Sequence, residues 1–75
     1  MLFYLIHPKN GKALSEFRGN DKTQKARQLY FRKNDWYCFS TIEEAQKHKD
    51  YIIREANDRV KKVASNLIIS PDKWR

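Results

Sequence analysis

The residues with catalytic or metal-binding potential are His7, His48, Cys38 and the carboxylates Glu43, Glu44 and Asp50. A catalytic zinc normally draws three protein ligands, and neither histidine stands at a metal-ligand spacing from another donor. A lone cysteine excludes an intramolecular disulfide and every multi-cysteine zinc site. Cys38 beside a histidine would make a nucleophile and its base, but no spacing brings the two together, and a structural thiol is the simpler reading. His48 falls between Lys47 and Lys49 on a helical stretch, where a solvated ring is expected. Glu43 and Glu44 read better as partners of a helix start than as nuclease carboxylates, and Asp50 as helix-surface charge. With only Gly11 and Gly19, the chain holds no glycine-rich phosphate loop. The expectation is a non-enzymatic protein with no catalytic residue, metal or cofactor.

Binding chemistry is better represented. The 75 residues carry 16 Lys and Arg against 9 Asp and Glu, a formal net charge of +7. That charge is concentrated. Residues 1–33 hold eight basic against two acidic residues, a net +6, while residues 34–75 hold eight against seven, a net +1. A one-signed surface attracts polyanions and speeds their encounter. Within and beside that half, Tyr30, Arg32 and Trp36 share the outer face of an expected hairpin, with Arg18, Lys22, Lys25, Arg27 and Lys33 around them. Rings stack on bases and cations neutralise phosphates, so these eight residues are the candidate surface for nucleic acid or another acidic partner.

Positioning these side chains requires two hairpins and a helix. Leu2-Phe3-Tyr4-Leu5-Ile6 is short, aromatic and branched, and Asn10-Gly11 follows it as the strongest short hairpin signal. A type I′ turn there sets Lys9 opposite Lys12, Ile6 opposite Ser15 and Tyr4 opposite Phe17, with strands over 2–8 and 12–18. Residues 19–26 carry turn formers without apolar period and read as a basic loop. Gln28 to Arg32 and Trp36 to Phe39 then form the second hairpin, pairing Phe31 with Tyr37 and Leu29 with Phe39. Register decides which face is buried, and this one gathers four apolar side chains together.

Ser40/Glu43 and Thr41/Glu44 both fit a capping box. Beyond it Ile42, Ala45, Ile52, Ala56, Val60, Val63 and Leu67 recur mostly three and four apart, giving one amphipathic helix over about 42–65. Asn66 then either caps the helix in the left-handed conformation, leaving a fifth short strand over 67–69, or the helix runs on until Pro71 stops it. The favoured reading is the cap and the strand. The fold expected is α+β: one domain over 1–75, an antiparallel sheet of about four strands in residues 1–40, the long helix against one face, and a short tail at 70–75. A helix over 42–65 is ~36 Å long, against ~23 Å for a seven-residue strand, so its end overhangs the sheet. That overhang suggests a homodimer through Val60, Val63, Leu67 and Trp74.

Over residues 27–45, the basic hairpin followed by Phe39-Ser40-Thr41 and Glu43-Glu44-Ala45 is similar to the small sheet-plus-helix DNA-binding domains of phage integrases and of a plant transcription-factor family. That likeness implies a basic sheet entering a DNA groove, and it leaves the first hairpin and most of the helix unaccounted for. In size and compactness alone the chain looks like the accessory proteins with which mobile elements block host enzymes. Two functions are therefore expected: a basic module contacting nucleic acid or a nucleoprotein, and alternatively an inhibitor or adaptor on an acidic protein surface. The apolar run 2–6 is too short for a signal peptide or a membrane span of ~20 residues. With one free thiol, this suggests a soluble cytoplasmic protein without membrane contact.

Overall fold

The computed structural model describes residues 1–18, 28–32 and 35–71. In chain order these form β1 (Tyr4–Ile6), β2 (Glu16–Arg18), β3 (Gln28–Tyr30), α1 (Ile42–Glu55), α2 (Asp58–Ser65) and β4 (Ile68–Ser70). The class is α+β, but the strands make two antiparallel two-stranded sheets, β1 with β4 and β2 with β3, where one four-stranded sheet was expected.

β1 lies at the centre. Its three residues are all buried, which suits an apolar run without alternation, since such a strand is covered on both faces. On one side it pairs with β4, Leu5 opposite Ile69. On the other side the Leu14 amide donates to the Leu5 carbonyl at 2.7 Å and Ile6 bridges Ala13. The first hairpin thus exists with a register two residues away from the expected one, Ile6 meeting Ala13 in place of Ser15.

The turn explains the shift. Gly11 takes φ 71° and its amide donates to the His7 carbonyl at 2.9 Å, closing a loop over 8–11. His7 Nδ1 accepts from the amides of Lys9 at 3.1 Å and Asn10 at 3.4 Å, while Asn10 Oδ1 accepts from the Lys12 amide at 2.9 Å. Side chains satisfying loop amides hold a longer turn than the two-residue type I′.

The second expected hairpin does not form. β3 pairs with β2, Phe17 opposite Leu29, and the stretch 37–39 goes elsewhere. The Tyr37 amide donates to the Leu14 carbonyl at 3.0 Å, and Phe39 exchanges hydrogen bonds of 2.8 and 2.9 Å with Phe3. Ser15 makes this possible. Its Oγ accepts from the Arg32 amide at 2.6 Å and its own amide donates to the Tyr30 carbonyl at 2.7 Å, so the strand turns away from β1 onto β3. Without the hairpin 28–39, the likeness to integrase-type domains loses the element on which it rested.

The helical stretch is two helices. α1 has 14 residues and α2 has 8. Thr41 Oγ1 caps α1 by accepting from the Glu44 amide at 3.1 Å, the second of the two expected caps. Ala56 is extended at ψ 156°, and Asn57 Oδ1 caps α2 by accepting from the Val60 amide at 3.0 Å. The break escaped the sequence pattern because Ile52, Ala56, Val60 and Ala64 keep a spacing of four and are all buried. At Asn66 the backbone is at φ −100°, ψ 1°, outside the left-handed region, and β4 follows at 68–70.

The main core joins Leu5, Leu14, Ala45, Ile52, Ala56, Val60, Ala64 and Leu67. Tyr4 and Ile6 form a second cluster with Ala13, and Trp36 packs on them. Ile42, expected inside, is 54% exposed. Lys49 Nζ reaches the Leu67 carbonyl at 2.9 Å, tying α1 to the exit of α2. Among the described residues no helix is long and apolar enough to cross a membrane.

Candidate binding surface

Pairing in β2–β3 places Glu16 opposite Tyr30 and Arg18 opposite Gln28. Side chains alternate across a strand, so Phe17 and Leu29 turn to the core while Glu16, Arg18, Gln28 and Tyr30 form the outer face. There the Tyr30 ring is flanked by two guanidinium groups, Arg32 at 5.0 Å and Arg18 at 6.0 Å from its centroid. The Glu16 carboxylate binds both, at 2.8 Å to Arg32 and 3.2 Å to Arg18, and Asp35 approaches Arg32 at 3.8 Å. The hydrogen bond from Arg32 holds the Glu16 carboxyl below the usual carboxylate range, and the same bond keeps Arg32 firmly charged.

This geometry gathers Arg18, Tyr30 and Arg32 from the sequence candidates, with one addition that changes the electrostatics. Two arginines are set against two carboxylates, so the described part of this face has much less net charge than the basic residues alone imply. Glu16 was missed because it stands among basic residues in sequence. Its position opposite Tyr30 follows only from the β2–β3 register.

Trp36 sits beside the face. Its indole N–H donates to the Arg32 carbonyl at 2.8 Å, and the ring covers Tyr4, Ile6 and Ala13. It is half-buried on this layer, where the sequence set it on the outer face of a hairpin with Tyr30 and Arg32. Lys22, Lys25, Arg27, Lys33 and Trp74 lie outside the described residues.

Of the self-association candidates, Val60 and Leu67 are buried at 8% and 2% exposure within the chain's own core, and Val63 is half-buried. The single helix over 42–65 from which the overhang was argued is two helices, broken at Asn57.

His48 also departs from expectation. Its ring packs on Tyr37 at 4.6 Å, Phe39 at 5.3 Å and Tyr51 at 6.0 Å, and Nε2 is buried with no hydrogen-bond partner among the described residues. Burial pushes its pKa below the usual histidine value. Cys38 is exposed and free, and no three His, Cys, Asp or Glu side chains among the described residues cluster as a metal would need.

A groove runs around the turn at 8–11. A cavity of about 370 Å³ is lined by His7, Asn10, Gln28, Leu29, Phe31, Arg59, Val60 and Val63. Two smaller hollows beside it share His7 and add Lys9 and Lys62. No sequence motif marks it, because its walls come from the turn, β3 and α2. Compared with protein-family models, curated proteins and solved structures, the chain matches none.

Proposed function

We propose that this protein is a small non-enzymatic binding module that contacts nucleic acid, or a nucleoprotein, through the outer face of β2–β3. The observation that supports this reading is the Tyr30 ring set between Arg18 and Arg32. A base stacked by Tyr30 would bring its phosphates within reach of both guanidinium groups, which exchange the Glu16 carboxylate for phosphate oxygens. Stacking contributes about 1–3 kcal/mol per base, and phosphate neutralisation makes the affinity salt-dependent. The neighbouring Lys22, Lys25, Arg27 and Lys33 add to that dependence by sequence proximity.

A second reading has its own support. Arg18 and Arg32 already take a carboxylate as their partner, which is the group an acidic protein surface would present. Arg and Tyr are favoured interface anchors, so an inhibitor or adaptor could use the same face. Fluorescence anisotropy with labelled single- and double-stranded DNA and RNA at two salt concentrations tests the first reading. Competition by unlabelled polynucleotide against any captured protein separates it from the second.

A further inference from the structure

The cations of the chain divide into two groups by their partners. Arg18, Arg32 and Arg54 each meet a carboxylate within 4 Å. Lys9, Arg59 and Lys62, which line the groove around the turn, pair with no carboxylate among the described residues, and no described carboxylate lines that groove. Its floor is apolar: Leu29 and Phe31 from the β3 side, Val60 and Val63 from α2. The Nδ1 atom of His7 is occupied as an acceptor by the turn amides, so the ring is held as the tautomer with its proton on Nε2. A proton donor, two amide side chains (Asn10 and Gln28) and a rim of cations therefore surround an apolar hollow.

We propose that this groove binds an acidic peptide segment that presents one large apolar side chain between carboxylates. The apolar side chain fills the hollow over Leu29, Phe31, Val60 and Val63, and the flanking carboxylates meet Arg59 on one side and Lys9 or Lys62 on the other. A peptide fits better than a nucleic-acid strand for two reasons. Successive bases stack on parallel ring faces, and the two rings lining the hollow, His7 and Phe31, stand at 84° to each other. The adjoining hollows past Pro8 and Lys9 also extend the path along the turn, which suits an extended backbone better than a compact ligand. This goes beyond the proposed function, since it uses none of Arg18, Tyr30 or Arg32.

The test is a titration followed by amide chemical shifts, with an acetylated and amidated pentapeptide of four glutamates around a central phenylalanine as the probe. Expected are shifts concentrated at His7, Asn10, Phe31, Arg59 and Val63. Affinity should fall at least tenfold when alanine replaces the probe's phenylalanine, and again with Arg59→Glu combined with Lys62→Gln. An acidic residue in the first turn of α2 suits the helix dipole, so that variant should keep its helical signal. If it does not fold, the alanine probe on the unaltered protein still decides. Shifts centred on Arg18 and Arg32, equal affinity for both probes, or displacement of the groove signals by oligothymidylate in place of the peptide would each overturn the proposal. Loss of nucleic-acid binding at β2–β3 would leave it standing, so the two readings fail separately.

Discussion

Glu16 holds Arg32 at 2.8 Å while standing opposite Tyr30 in the β2–β3 ladder. The carboxylate thus fixes one guanidinium beside the ring and also competes with any anion that would use it. On the proposed function, a ligand anion exchanges with this carboxylate, and Glu16 is then the residue that sets affinity.

Glu16→Gln should therefore tighten binding to a polyanion by roughly three- to tenfold, with a steeper salt dependence, because two arginines are released from an exposed ion pair of small intrinsic strength. Anisotropy titrations of the variant beside the unaltered protein check this. Unchanged affinity would mean that the Arg18 and Arg32 pair does not contact the ligand.

His48 should make the fold sensitive to mild acid. Its pKa is lowered by burial in the folded chain from the ordinary value of 6.5, so the unfolded chain binds the proton more readily. The stabilisation is fully present above about pH 6.5 and declines as pH falls through that value towards the folded pKa, with a slope of at most about 1.4 kcal/mol per pH unit. His48→Phe should flatten urea midpoints between pH 7 and the onset of carboxylate titration. The Glu16 carboxyl titrates below 4.5 in the folded chain and adds a separate loss at lower pH.

The two helix starts give a local test of the break at Asn57. Thr41→Ala and Asn57→Ala each remove a side-chain acceptor at a helix N-terminus and should each cost about 1 kcal/mol. The two sites lie at the starts of different helices, so their effects should add in urea denaturation. A continuous helix over 42–65 would instead gain from Asn57→Ala, since alanine is the better helix former.

How far the fold was legible in the sequence follows from the same elements. Helix content was readable because the Thr41 cap and the stripe of Ile52, Ala56, Val60 and Ala64 are local patterns. The break was not, since that stripe keeps its spacing through Asn57, whose capping role shows only in its bond to the Val60 amide. Inward-facing Leu29 and Phe31 were read correctly from alternation, but their strand partner was not. The side-chain bonds of Ser15 redirect the strand to β3, and such bonds carry no periodic signal. For Leu2-Phe3-Tyr4-Leu5-Ile6, an all-apolar run cannot reveal which face meets the helices. Leu5 took that place and Tyr4 and Ile6 did not. Arg18, Tyr30 and Arg32 were legible as neighbours on one face, while Glu16 and the His7 groove arise from residues brought together by the fold.

Leu5 and Leu14 then supply a strong test of the packing. Both are fully buried between β1 and the helices. Either leucine changed to alanine should cost about 2–5 kcal/mol, a large share of the stability of so small a domain. Thermal denaturation by circular dichroism should show a lower midpoint or no cooperative transition. A change under 1 kcal/mol at both sites would contradict this core.

The most direct test of the central claim is anisotropy of labelled single- and double-stranded DNA and RNA with the unaltered protein and with Arg18→Glu, Arg32→Glu, at two salt concentrations. The expected result is binding that weakens steeply with salt and is lost in the double variant, whose circular dichroism remains that of the folded chain. Absence of binding at low salt, or equal binding by a folded double variant, would contradict the assignment of the β2–β3 face to nucleic acid.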